Sequence, residues 1–220
     1  MLYSGDFSGR AMPLGDPSAP SGATYWWGAV VTASPTRIEH EFGFLAPYLD
    51  SGLHQRSVYE CPAQPWGSYR PQPAAVPAPG SPTSTYGYNG YYLCPPMTPG
   101  WSLQIGRQPW KRIADIERPT ELLVFADTLM EGSPPRNNAL LDPPRLYSGN
   151  GQWTMNFSPT TCFRHGGGLG SPGAAAGARA DGSVRAVRAD AGWLTSPALR
   201  IGSVGTENDP CYVPDWKRWR

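Results

Sequence analysis

The sequence predicts an α+β fold, built from a small antiparallel sheet, few short helices and long ordered loops rich in proline and glycine. Gly and Pro number 26 each among 220 residues, a share that on its own signals low complexity. The 9 Trp, 11 Tyr and 6 Phe point the other way, because a chain so rich in aromatics has the material for a packed core. The segment ELLVFADT then supplies the clearest strand. It runs five apolar residues, Leu122 to Ala126, and suggests burial on both faces.

The other elements follow in order. Residues 1–24 are turn-rich and read as an extended N-terminal arm. YWWGAVV, from Tyr25, opens a single globular domain spanning 25–200, and 201–220 form a C-terminal tail. Phe42, Leu45 and Leu49 fall at helical spacing, so residues 37–50 predict a short helix, made imperfect by Gly43 and Pro47. SVYECP reads as a short strand ending at Pro62, and Arg70–Pro82 as a polyproline-type loop. Tyr86–Leu93 alternates aromatics and reads as a strand or tight loop edge, with Asn89-Gly90 as a turn. WKRIADI is a short helix that ends before Arg118-Pro119, since the residue preceding Pro avoids helical backbone. GARADGSVRAVRAD predicts a hairpin that turns at Asp181-Gly182 and returns through Val184 and Val187.

Charged residues make up 16% of the chain and the net charge is +1, so no field of one sign recruits nucleic acid or an anionic membrane. The longest apolar runs fall far short of a bilayer span, and MLYSGDFSGR has no apolar core of a signal peptide. Cys61, Cys94, Cys162 and Cys211 are widely spaced, with no Cys-x-x-Cys pair to suggest zinc. An aromatic-rich, lysine-poor composition fits an envelope or secreted protein, where disulfides persist. Cys61–Cys94 and Cys162–Cys211 are the favoured bridges, as each closes within its own segment; free buried thiols are the alternative.

His165 with Asp181 is the candidate acid–base pair, since imidazole titrates near neutrality and a carboxylate can orient it. No nucleophile frame such as G-x-S-x-G accompanies it. The simpler reading makes Asp181-Gly182 a turn and His165 a partner of nearby backbone. Asp6, Asp16, Asp127, Asp142, Asp181 and Asp190 are scattered and form no calcium-loop pattern, so no metal or other cofactor is expected. Gly166–Gly168 does not sit between a strand and a helix as a phosphate loop must. Tyr25-Trp26-Trp27 and the Tyr86–Tyr92 aromatics read as core. In the tail, Trp216, Lys217, Arg218, Trp219 and Arg220 are of the types that anchor interfaces, and they predict a partner-binding surface.

Seven pieces occur in a telling order: LYSGDFSGRAMP, YWWGAVV, FLAPYL, VYECP, TYGYNGYYL, RPTELLVFADT and RHGGG…ADGSVRAV. Together, over roughly residues 2–190, they resemble the prepilin-type proteins whose C-terminal domain is named for a His followed nine residues later by Asp-Gly. That family is related to type II secretion pseudopilins. Under the resemblance, Cys61, Tyr86, Asn89, His165, Asp181 and Gly182 are motif positions, and Leu123–Asp127 is the central strand. The chain departs in placing fifteen residues between His165 and Asp181, with GSPGAAA as the insertion. The resemblance implies a soluble, pseudopilin-like head without the family's N-terminal apolar helix. The implied function is non-enzymatic, an assembly role through contacts with protein subunits on the extracytoplasmic side of the envelope. An extrinsic subunit that stabilises a membrane complex from its periplasmic side is the alternative, and a His/Asp hydrolase or a calcium-binding module is a more distant one.

Overall fold

The structure, a computed structural model, describes residues 2–18, 22–31, 37–49, 58–64, 84–167 and 172–219. It is an α+β fold of small antiparallel sheets with three short helices among the described residues. The chain opens with α1 (Leu2–Asp6), then β1 (Gly15–Asp16), β2 (Gly22–Tyr25), β3 (Gly28–Val31) and β4 (Arg37–Glu39), which pair in that order as one sheet. After β5 (Tyr86–Tyr88) come α2 (Gly90–Leu93), α3 (Ser102–Ile105) and β6 (Leu123–Asp127). The second half holds β7 (Arg145–Tyr147), β8 (Trp153–Met155), β9 (Thr161–Cys162), β10 (Ala174–Arg179), β11 (Val184–Arg188), β12 (Leu194–Ser196) and β13 (Ile201–Gly202). The sheet ordered β11-β10-β6-β5 carries the functional candidates.

The apolar run at 122–126 becomes β6, an interior strand between β10 and β5, with Leu123 and Ala126 buried. The hairpin also forms as expected. Asp181-Gly182 joins β10 to β11, Gly182 takes φ 86° and Arg179 N–H donates to Ser183 O at 2.8 Å. Only glycine adopts that backbone without strain. The returning strand, VRAVR, is an edge largely open to water, and its arginines discourage pairing with another chain.

In the Tyr86–Leu93 segment, β5 passes directly into α2. Asn89 is a fully buried pin rather than a hairpin turn: its Nδ2 donates to Leu123 O and Tyr212 O, both at 2.9 Å, while its Oδ1 accepts from Tyr92 N. It thus caps α2 and ties it to β6 and to the tail. Gly87 lies so close to Leu140 backbone and the Thr128 methyl that a Cβ would collide with both.

Several local expectations give way to tertiary pairing. Residues 37–49 form no α-helix; they make β4 and two single 3-10 turns, His40–Phe42 and Ala46–Tyr48. Gly43 and Pro47 weaken a helix here, and β3 offers Arg37–Glu39 a ladder partner instead. Phe42 consequently ends 59% exposed. VYECP is turn and bend rather than strand, and it is tied to the start of β5 by Thr85 N–H, which donates to Tyr59 O at 3.1 Å. WKRIADI contracts to one 3-10 turn at Ile113–Asp115. The N-terminal segment is no free arm: it carries α1, β1 and most of β2, and it buries Ala11, Met12 and Leu14 in the main core. That core also holds Trp26, Trp27 and Tyr88, so the aromatic runs are packing residues. The proline-rich loop at Arg70–Pro82 lies outside the described residues. No helix among the described residues is long and apolar enough to cross a membrane.

Candidate functional site

Asp127 closes β6 at the point where β10 begins beside it. One position back, Ala126 pairs with Gly177, and Ala176 N–H then donates to the Asp127 side chain (Oδ2, 2.6 Å). The carboxylate therefore takes the place of a ladder acceptor and is held rigidly while fully buried. His165 precedes β10, fixed by reciprocal backbone bonds with Ala174 of 2.9 and 2.8 Å. Its Nε2 lies 3.0 Å from Asp127 Oδ2 and 3.2 Å from Cys61 Sγ. Cys61 is positioned by its own N–H, which donates to Thr85 Oγ1 at 2.6 Å, next to β5.

Arg164 completes the neighbourhood. Its Nε stands 3.7 Å from Asp127 Oδ1, and its guanidinium donates to Gln64 Oε1 and to Thr128 O. With side-chain exposures of 9% and 0%, this is a buried charge pair. It needs both members, since removing one strands the other away from water. Tyr86 also borders the thiol: burial first, then the neighbouring Cys61 and Asp127, push its phenol above its ordinary range.

Chemically the cluster is not an activated nucleophile. Burial first, and then the Asp127 carboxylate, push the Cys61 thiol up to about 11, so it is neutral at physiological pH. A nucleophile–base–acid chain also needs opposite ring nitrogens, one facing the nucleophile and the other the orienting carboxylate. Here both Cys61 and Asp127 address the same Nε2. The donor atoms of Cys61, Asp127 and His165 nevertheless converge within 4.8 Å of one another, a mixed sulfur, nitrogen and oxygen set.

The sequence-derived residues fall into two groups. Cys61, Tyr86 and His165 come together in this cluster, whereas Asp181 does not. Asp181 sits exposed at the hairpin tip, where Ser183 N–H and Oγ donate to its Oδ1 at 2.9 and 2.8 Å and hold its carboxyl below the usual range. The carboxylate partner of His165 is Asp127. Within the stretch GSPGAAA, Ala174–Ala176 begin β10 and supply the backbone bonds to His165 and Asp127.

The cysteines and the tail also differ from expectation. All four cysteines are free, and the bridges Cys61–Cys94 and Cys162–Cys211 are not formed. Cys61 faces His165, while Cys94 Sγ accepts from Leu14 N at 3.0 Å. The tail is part of the core. Tyr212 and Val213 are fully buried, and Trp219 stacks on Tyr91 and packs against Tyr147 and Trp153. Trp216 meets Trp153 edge-on, half-buried. The aromatic pair therefore fills its own fold, because the rings of α2, β7 and β8 offer it an apolar seat. Lys217 and Arg218 stay exposed, Arg218 paired with Glu117, and Arg220 lies outside the described residues.

Asp127 and Arg164 are the members that motif reading passed over. A signal did exist: a carboxylate ending an otherwise apolar, doubly covered strand is buried and must find partners, and Arg164 adjoins His165. Comparison of the chain with known protein families, with characterised proteins and with solved structures finds no match.

Proposed function

We propose that this chain is a non-enzymatic, pseudopilin-like head of the cell envelope, acting through contacts with protein subunits of an extracytoplasmic assembly. The observation that carries this reading is the knot of Cys61, Tyr86, Asp127 and His165. Three of these stand at positions marked by the resemblance to prepilin-type proteins, and Asp127 ends its central strand. In the fold they tie segment 58–64, β5, β6 and the β9–β10 connection together. A neutral thiol sharing one ring nitrogen with a carboxylate suits a structural tie better than a catalyst. The motif residues thus account for a fold that holds a loop-rich surface in shape, as an assembly subunit requires.

Photo-crosslinking tests the reading. Leu103 and Phe157 are 96% and 80% exposed apolar side chains, and replacing each with a photoreactive residue reports what lies against them in cells. Crosslinks to a defined envelope subunit, or to a second copy of the chain in an envelope fraction, are expected. Turnover of an ester or amide substrate by the purified chain, abolished by a thiol blocker and by His165→Ala, would overturn the proposal.

A further inference from the structure

We propose that Cys61 Sγ, Asp127 Oδ2 and His165 Nε2 form a zinc-binding site, with solvent in the fourth position. The inference does not rest on the envelope role, since a metal can lock this knot whatever the head contacts.

The first support is convergence. Residues 61, 127 and 165 arrive from three separate segments, yet their donor atoms lie within 4.8 Å of one another. They approach one ring nitrogen from two sides, at 3.0 and 3.2 Å. A single imidazole nitrogen offers either one proton or one lone pair, so it satisfies one neighbour well and the other poorly. A cation among the three donors satisfies all of them at once. Zn–N and Zn–O bonds of about 2.0 Å and a Zn–S bond of about 2.3 Å place tetrahedral ligand atoms roughly 3.3–3.5 Å apart. The His165–Asp127 and His165–Cys61 spacings reach that with an opening of a few tenths of an ångström.

The second support is an unsatisfied group. Asp127 Oδ1 is buried and receives no hydrogen bond, and the Arg164 Nε facing it at 3.7 Å is itself without one. On its Oδ1 side the Asp127 carboxylate is thus paired with Arg164 by charge alone and keeps acceptor capacity, while Oδ2, held by Ala176 N–H, is the oxygen beside His165. The third is the outer scaffold. Ala176 N–H fixes the carboxylate, the Ala174 bonds fix His165, and Thr85 Oγ1 fixes the Cys61 backbone. Such outer partners hold ligands in register in metal sites. The His165 side chain is 35% exposed, whereas Cys61 and Asp127 are buried.

The donor set selects the metal class. Calcium and magnesium take oxygen ligands almost alone. Metal binding releases the Cys61 proton to solvent, and the resulting thiolate, with one imidazole and one carboxylate, suits a borderline-soft divalent ion, of which zinc is the best match. Bound there, zinc would staple three segments that no disulfide joins.

The test uses the whole chain, stripped with a chelator and titrated with Co²⁺ and then Zn²⁺. The expected result is one metal per chain and a thiolate-to-cobalt charge-transfer band. Cys61→Ser should abolish the band and weaken Zn²⁺ binding by at least about 100-fold, beyond the loss usual for an outer-partner change. Cys162→Ser should leave both intact. X-ray absorption of the zinc-loaded unmutated protein needs no variant to fold, and should show one sulfur near about 2.3 Å beside nitrogen and oxygen neighbours. Absence of stoichiometric binding, a cobalt band that survives Cys61→Ser, or a zinc shell without sulfur overturns the proposal.

Discussion

Replacing Trp219 with alanine separates a tail that belongs to the core from one held ready for a partner. Trp219 is 6% exposed. Its ring lies 5.1 Å from Trp153, 5.7 Å from Tyr147 and 6.2 Å from Tyr91, and its Nε1 donates to Asp215 at 3.2 Å. Truncating a buried Trp removes its transfer energy and leaves a cavity, together about 3–5 kcal/mol. The lost indole bond is softened because Asp215 keeps Lys111 at 3.1 Å. With a urea slope of about 2 kcal/mol per molar, a loss of about 4 kcal/mol moves the unfolding midpoint down by about 2 M. An exposed surface tryptophan would cost no more than about 0.5 kcal/mol. Equilibrium urea unfolding followed by circular dichroism measures the shift. A midpoint within about 0.3 M of the unmutated protein would refute the docked tail and return Trp219 to the list of free anchors. Arg218→Ala is the matched control, since an exposed ion pair contributes about 0–1 kcal/mol.

Two further outcomes follow from the same structure. Burial raises the Asp142 carboxyl from 3.8 to about 7, partly opposed by hydrogen bonds from Trp101 and Asn138. The folded state therefore holds a proton that the unfolded state gives up, so this group's contribution falls as pH climbs from about 4 to about 7 and is flat above. Three pKa units set a ceiling of about 4 kcal/mol. Asp142→Asn keeps the acceptor for Trp101 Nε1, and urea unfolding from pH 4 to 8 should show its stability gaining on that of the unmutated protein; parallel profiles would contradict the assignment. Asp127→Asn and Asp181→Ala should diverge sharply. The first strands the buried Arg164 charge and costs about 3–5 kcal/mol, while the second removes only turn bonds at a hairpin tip and costs about 1 kcal/mol or less. Thermal unfolding that ranks them equally would place the functional carboxylate wrongly.

The order in which the chain revealed itself has a physical basis. Strand β6 and the Asp181-Gly182 hairpin were legible because an apolar run and a two-residue turn are local signals. The spacing of Phe42, Leu45 and Leu49 misled because the ladder offered by β3 lies outside the window in which helical periodicity is read. The tail misled for a related reason. Its Trp and Arg content is the same for an interface and for a core, and only the rings of Tyr91, Tyr147 and Trp153 decide which.

What the amino-acid sequence determined alone was the class: an aromatic core broken by turns into small antiparallel sheets, and a histidine beside a glycine loop that wanted a carboxylate. What only the tertiary structure decided was which carboxylate. Antiparallel pairing of β6 with β10 sets Asp127 against Ala176, next to His165. Asp181 lies five residues farther along the hairpin, about 16 Å at the rise of an extended strand. Register is a property of two strands together, and neither strand's sequence contains it.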